Sequence, residues 1–255
     1  MSERPTPDQP APRHAAEAAD DAVGGETDVR SLLAGAHRRL LGDTIAVSDP
    51  DWKAPSKLPG WSRAQVATHI ARHADAIYRL ADWALTGVEQ EMYPNNRDAE
   101  IDAGADRTGL EIQTDLDTSA GRLEEQLEKL AEADAWDRTV RFRDGSTAAA
   151  TLLPNGRLCE VLVHHLDLDL GVGVADLDQA AAEAALAWAA FRQSHRPGYP
   201  SLKLITDSGA VITIGDVDHD PLAVRGPANL LLGWLTQRSG TDGLTGAVDD
   251  LPSFG

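Results

Sequence analysis

The sequence predicts an α+β protein: an antiparallel four-helix bundle followed by a small α+β domain. Three observations carry this. Four stretches with a 3.6-residue apolar period lie between residues 28 and 173. Pro- and Gly-rich breaks separate them. Beyond Gly173 the pattern changes to one helix, two β-like runs and a last helix. The expected division is therefore a tail over 1–27, a bundle over 28–173 and an α+β domain over 174–255.

The tail, rich in Pro, Ala, Asp and Glu, has almost no large apolar residue and is expected to be disordered. The first helix, residues 28–45, puts Leu32, Leu33, Ala36, Leu40 and Leu41 on one face. After SDPDWKAPSKLPGW, Ser62 and Gln65 form the signature of a capping box, and the second helix runs to about Thr86, stopped by Gly87. A third helix covers roughly 108–133. TVRFR with Asp144-Gly145 predicts a hairpin. The fourth helix spans roughly 154–170, with Pro154 in its first turn and Gly171 and Gly173 at its end. The last part reads as a helix over 178–194, strands over 201–206 and 210–215, a possible third strand over 222–225, and a helix opened by Pro227 that runs through Arg238.

Composition excludes several classes. The 255 residues carry a formal charge of −18, which repels nucleic acids and anionic membranes. One cysteine, Cys159, permits neither an intramolecular disulfide nor a multi-cysteine metal site. The chain starts without an apolar leader and contains no membrane-length apolar run, so a cytoplasmic protein, monomeric or weakly oligomeric, is expected.

The chemistry is concentrated in CEVLVHHLDLDLG. This predicted fourth helix is apolar almost all round, yet Glu160, His164 and Asp167 fall within about 60° of one another. Buried polar groups need partners. In the second helix, His69 and His73 point inward among Val66, Ile70, Ile77 and Leu80. His69, Glu160 and His164 form a good zinc donor set, with a fourth position left for chemistry. The competing reading is plain core hydrogen bonding: Glu160 to His164, and His69 to a carbonyl. HIARH has the histidine spacing of a zinc-protease helix, but Ile70 stands where the catalytic glutamate belongs. His73 and His165 read as core or supporting histidines, and Cys159 faces away from Glu160.

The stretches LPGWSRAQVATHIARHADAIYRLADWALTG, MYPNNRDAEI, CEVLVHHLDLDLG and LLGWLTQRSGTDGL resemble the mycothiol-dependent maleylpyruvate isomerases, in order and spacing, from residue 28 to the end. The resemblance implies a DinB-like bundle and a sterol-carrier-like C-terminal domain. It implies a divalent metal, with zinc expected, on His69, Glu160 and His164, and an activity-linked arginine at Arg238. It implies mycothiol as cosubstrate and cis–trans isomerisation of maleylpyruvate to fumarylpyruvate in gentisate degradation, with Arg238 gripping a substrate carboxylate. Asp167 is a candidate to orient a ligand histidine, and Arg97 a candidate anion contact. A mycothiol S-transferase on the same scaffold, or a ligand-binding protein without catalysis, are the alternatives. The tail departs from the family pattern, and Pro154 and Gly156 make the start of the fourth helix irregular.

Overall fold

The computed structural model describes residues 28–215 and 221–253; the tail expected over 1–27 lies outside them. Eight α-helices and five strands are present among the described residues. The helices are α1 (Val29–Thr44), α2 (Asp49–Lys53), α3 (Arg63–Thr86), α4 (Arg97–Ala105), α5 (Gly109–Glu132), α6 (Leu153–Asp167), α7 (Gln179–Ser194) and α8 (Ala228–Leu235). The strands are β1 (Thr139–Arg141), β2 (Thr147–Ala149), β3 (Leu202–Thr206), β4 (Val211–Ile214) and β5 (Leu222–Gly226).

Helices α1, α3, α5 and α6 form a bundle in which α1 and α3 each touch both α5 and α6. Helix α3 is the central member. Ser62 and Gln65 close its capping box, with Ser62 N–H donating to Gln65 Oε1 at 2.8 Å, and Gly87 ends it at φ 76°. Its inward residues are mostly small (Ala67, Ala71, Ala74, Ala81), which lets its neighbours approach closely.

Helix α6 begins irregularly, after a 3₁₀ turn over Ala150–Leu152, and has Pro154 in its first turn. The glycine there has a packing reason: a Cβ on Gly156 would sit 3.2 Å from the Trp188 ring of α7. The helix ends at Asp167, not at residue 170, because Asp169 (φ 56°) and Gly171 (φ 87°) take left-handed conformations. Arg63, at the start of α3, binds the carbonyls of Leu168 (2.8 Å) and Asp169 (3.0 Å). The Lys57 N–H donates to the Asp167 carbonyl at 2.8 Å. These contacts fix the end of α6 against the start of α3.

β1 and β2 pair antiparallel around the Asp144-Gly145 turn. The second sheet has the order β4-β3-β5, with β3 antiparallel to β4 and parallel to β5. Helix α7 packs on α6, on α8 and on β4. The last helix stops at Leu235, three residues before the expected Arg238. Gln237 turns left-handed (φ 61°), and the N–H groups of Arg238 and Ser239 fold back onto the Gly233 carbonyl. The short helix α2 lies in the stretch read from the sequence as a break, and α4 in one to which the sequence reading assigned no element. Among the described residues, no helix is long and apolar enough to cross a membrane.

Candidate metal centre

Two turns into α3, His69 points into the bundle with 5% of its surface exposed. Across from it, α6 presents Glu160 and His164 one turn apart, on the stripe that the sequence places on one face. The three side chains meet. His69 Nε2 lies 3.2 Å from Glu160 Oε2 and 3.1 Å from His164 Nε2, and His164 Nε2 lies 3.2 Å from the same Glu160 oxygen.

These three distances test whether the residues fit a metal ion. Tetrahedral zinc with bonds of about 2.0–2.1 Å has donor–donor edges of roughly 3.3–3.4 Å. The observed triangle is one face of such a tetrahedron to within about 0.3 Å. Protons satisfy it poorly, because two imidazole nitrogens and a carboxylate oxygen converge on one point and two N–H groups there would face each other. The group is one that can hold a metal ion.

The surroundings hold the triangle in place. The Asp167 carboxylate takes the other nitrogen of His164, with Nδ1 to Oδ2 at 2.9 Å. Arg238 grips Asp167 with two bonds, Nε to Oδ1 at 3.1 Å and Nη2 to Oδ2 at 2.7 Å, and gives Nη1 to the Thr236 carbonyl at 2.6 Å. Arg238 is thus committed to Asp167, and its side chain is only 18% exposed. In the structure its guanidinium holds the Asp167 carboxylate, where the sequence led to the expectation of a substrate carboxylate. The reason is the left-handed turn at Gln237, which carries Arg238 off the helix and back over the end of α6.

Arg97, on α4, donates from Nη2 to His69 Nδ1 at 3.0 Å. That contact puts the proton of neutral His69 on Nε2. For His69 to offer Nε2 to a cation the proton has to sit on Nδ1, so Arg97 would then give up this contact. The edge of the Trp61 ring packs on His69, with centroids 6.1 Å apart. His73 is buried behind His69, and its Nδ1 has no hydrogen-bond partner. His165 Nε2 lies 3.2 Å from an Asp43 carboxylate oxygen but makes no hydrogen bond to it. Burial pushes the Cys159 thiol up, far from nucleophilic use. Sequence reasoning gave Arg97 little weight; Asn96, which accepts from the Ala99 N–H as the N-cap of α4, is the local signal that marks the helix carrying it.

The electrostatics set a proton against a metal. Burial opposes charge on His164, but hydrogen bonds to Asp167 and Glu160 outweigh it and raise its pKa to about 9. Burial lowers His69 to about 4. At neutral pH the metal-free centre therefore carries its proton on His164. Metal binding at pH 7 is expected to release close to one proton per ion, and apparent affinity should rise about tenfold per pH unit until it flattens above pH 9. Calorimetry in buffers of different ionisation enthalpy counts that proton; no release at pH 7 would contradict the charge state. Asp167→Ala is expected to lower metal affinity by roughly 10–100-fold, measured by competition with a chromogenic chelator.

The sequence family described as Mycothiol maleylpyruvate isomerase N-terminal domain matches residues 33–169, more than half of the chain. No curated protein matches the chain in sequence. Two crystal structures of the mycothiol-dependent maleylpyruvate isomerase, one of a histidine-to-alanine mutant, share the fold, with TM-scores of 0.73 and 0.72. Each is 24% identical, and each alignment covers 88% of this chain and 95% of the other. By the match over residues 33–169, which contains the whole His–Glu–His triangle, the chain belongs to the mycothiol maleylpyruvate isomerase family.

Proposed function

We propose that the chain is a metal- and mycothiol-dependent cis–trans isomerase that converts maleylpyruvate to fumarylpyruvate. The observation that carries this reading is the triangle of His69, Glu160 and His164, with its zinc-sized edges and with Asp167 and Arg238 bracing it. In this reading residues 28–173 carry the triangle and residues 174–255 supply Arg238.

The alkene of the substrate does not rotate at ambient temperature, so a nucleophile has to open it. A thiolate adds to one alkene carbon, and the electron pair moves onto the conjugated carbonyl. The remaining single bond rotates, and return of the pair expels the thiolate to leave the trans alkene. No net oxidation occurs, and the thiol is regenerated. A free thiol with a pKa near 8.5 is only about 3% thiolate at pH 7. A divalent cation on the triangle, zinc by its donor set, supplies the missing acidity.

The chain's own residues do the rest. His69, Glu160 and His164 hold the cation. Asp167 keeps the Nδ1 proton of His164 and so aims its Nε2 at the centre, and Arg238 keeps Asp167 ionised and oriented. Burial of Cys159 leaves the thiol to come from outside.

The test is direct. Purified protein with maleylpyruvate and catalytic mycothiol should give fumarylpyruvate, and removal of metal by chelation should stop the reaction until zinc is restored. Consumption of mycothiol into a stable thioether would replace this reading with S-transfer to an electrophile. No turnover with any thiol, in protein carrying one metal per chain, would end it.

A further inference from the structure

Arg97 touches the metal centre through a contact that a bound cation breaks. Its Nη2 donates to His69 Nδ1 at 3.0 Å, and its Nη1 meets Asp98 at 2.8 Å. A ring nitrogen accepts a hydrogen bond only while it carries no proton. When His69 gives Nε2 to a cation, the ring loses its Nε2 proton and takes one on Nδ1, with no net change in protonation. Two donors then face each other across the old contact, and the Nη2 edge of Arg97 has to turn away.

The space beside it is a cavity of about 440 Å³, bounded by the end of α3, the segment between α3 and α4, and β1 with its turn. Arg97 lines it, and so does Arg143 of the β1–β2 turn, whose backbone N–H is tied to Met92 Sδ at 3.2 Å. Both guanidiniums face one ring: that of Tyr93 lies 5.7 Å from the Arg97 guanidinium carbon and 5.8 Å from that of Arg143. Burial and the Glu160 charge raise the Tyr93 pKa while these two cations oppose the rise, so the phenol adjoins the centre and both arginines. The other charges of the wall are mostly spent. Arg141 is closed with Glu89 at 2.9 Å, and Asp98 holds Nη1 of Arg97. Among the described residues, Arg143 has no carboxylate within ion-pair distance and Glu91 has no cation. With Arg97 held on His69, an anion therefore meets one free guanidinium against one free carboxylate. Release of the Arg97 Nη2 edge adds a second donor and tips that balance.

We propose that Arg97 and Arg143 form a carboxylate-binding pair that is completed only when the centre holds its cation. Arg143 is the standing half of the pair, and Arg97 is the half that metal binding releases from His69. On a chain of formal charge −18, a small dicarboxylate needs such local cations. Cation and dicarboxylate binding are then positively coupled, and each strengthens the other by the same factor. The empty centre disfavours the anion, so an anionic substrate is held chiefly where the chemistry can follow. This inference rests on the metal-dependent reading above, but it concerns binding and not turnover.

The experiment is calorimetric titration of the whole protein with succinate, before and after loading with zinc and dialysis. Succinate is expected to bind the zinc-loaded protein at least tenfold tighter than the metal-free protein. Arg143→Met should weaken succinate binding to the loaded protein at least tenfold while leaving zinc affinity, measured without succinate, unchanged. Arg97→Met should do the opposite to the metal: with no contact to break, zinc affinity without succinate should rise at least threefold, and the coupling should fall below threefold. A residue that merely braces the centre would lower zinc affinity when removed. Equal succinate affinity with and without zinc in the unaltered protein would overturn the proposal. So would coupling that persists in Arg97→Met, which would put succinate on the ion itself, or full succinate affinity in Arg143→Met. The two readings fail separately. Uncoupled succinate binding in a protein that isomerises removes the arginine pair alone, and coupled binding without isomerisation by any thiol removes the reaction alone. Protein that takes up no zinc removes both.

Discussion

Glu160→Ala is expected to leave the protein folded but unable to hold stoichiometric metal. The carboxylate supplies one vertex of the triangle and the only negative charge in it. Burial raises its pKa, but nearby His73 and the hydrogen bonds from His164 and His69 hold it well below the ordinary range, so it is ionised at neutral pH. Tight zinc sites gain about 10–16 kcal/mol in total, or roughly 3–4 kcal/mol per ligand when four share it. Losing one ligand then costs roughly two to three orders of magnitude in affinity. Elemental analysis of dialysed protein should fall from about one ion per chain to nearly none, with the helical circular dichroism retained. Thiol-dependent activity should drop at least about thirtyfold from the lost thiolate fraction alone, and further from lost positioning. Unchanged metal content in this variant would mean that the ion, if any, sits elsewhere.

The second large effect is on stability. Arg157, on α6, is buried with 1% of its surface exposed. Its Nη1 donates to the Ile70 carbonyl of α3 at 2.7 Å, and its Nε donates to His37 Nε2 of α1 at 3.1 Å. His37 Nδ1 in turn meets Glu124 of α5 at 2.6 Å. One chain of hydrogen bonds thus joins all four helices of the bundle. The partners agree on protonation: burial lowers His37 to about 4, so a neutral ring accepts on Nε2 and donates from Nδ1. Burial lowers Arg157 to about 10, which leaves it charged at neutral pH. Arg157→Ala removes the stem's packing and leaves the Ile70 carbonyl and His37 without their donor. The expected cost is about 3–5 kcal/mol, or a fall in Tm of roughly 6–20 °C. Denaturant unfolding measures it. Arg157→Met keeps most of the volume and should cost less; equal losses would show that the hydrogen bonds, not the packing, carry the effect. Metal affinity should weaken in both, because Ile70 adjoins His69 and Arg157 lies one turn before Glu160.

The same two residues show where sequence reading stops. The lengths and ends of α3 and of the β1–β2 hairpin were legible because their signals are local: a capping box at Ser62–Gln65, left-handed glycines at Gly87 and Gly145, and apolar residues at a fixed period. Periodicity also placed Glu160 and His164 on one face and His69 on an inward one. Arg157 gave no such signal, since a charged residue in an apolar helix reads as an interruption until its partners on three other helices are known. Arg97 was named only as a candidate anion contact, and the helix that carries it was overlooked, because a nine-residue helix gives too few turns for a period to show.

The amino-acid sequence by itself determined the long helices, the sheet-forming runs and the polar stripes, because caps, turns and periods act over a few residues. Only the tertiary structure decided that the three donor atoms converge to within 3.1–3.2 Å, that Arg238 binds Asp167, and that Arg97 stands between His69 and a cavity. Those contacts join residues up to 95 positions apart. They depend on how α6 docks against α3 and on the left-handed turn after α8, and packing across the whole bundle sets such distances.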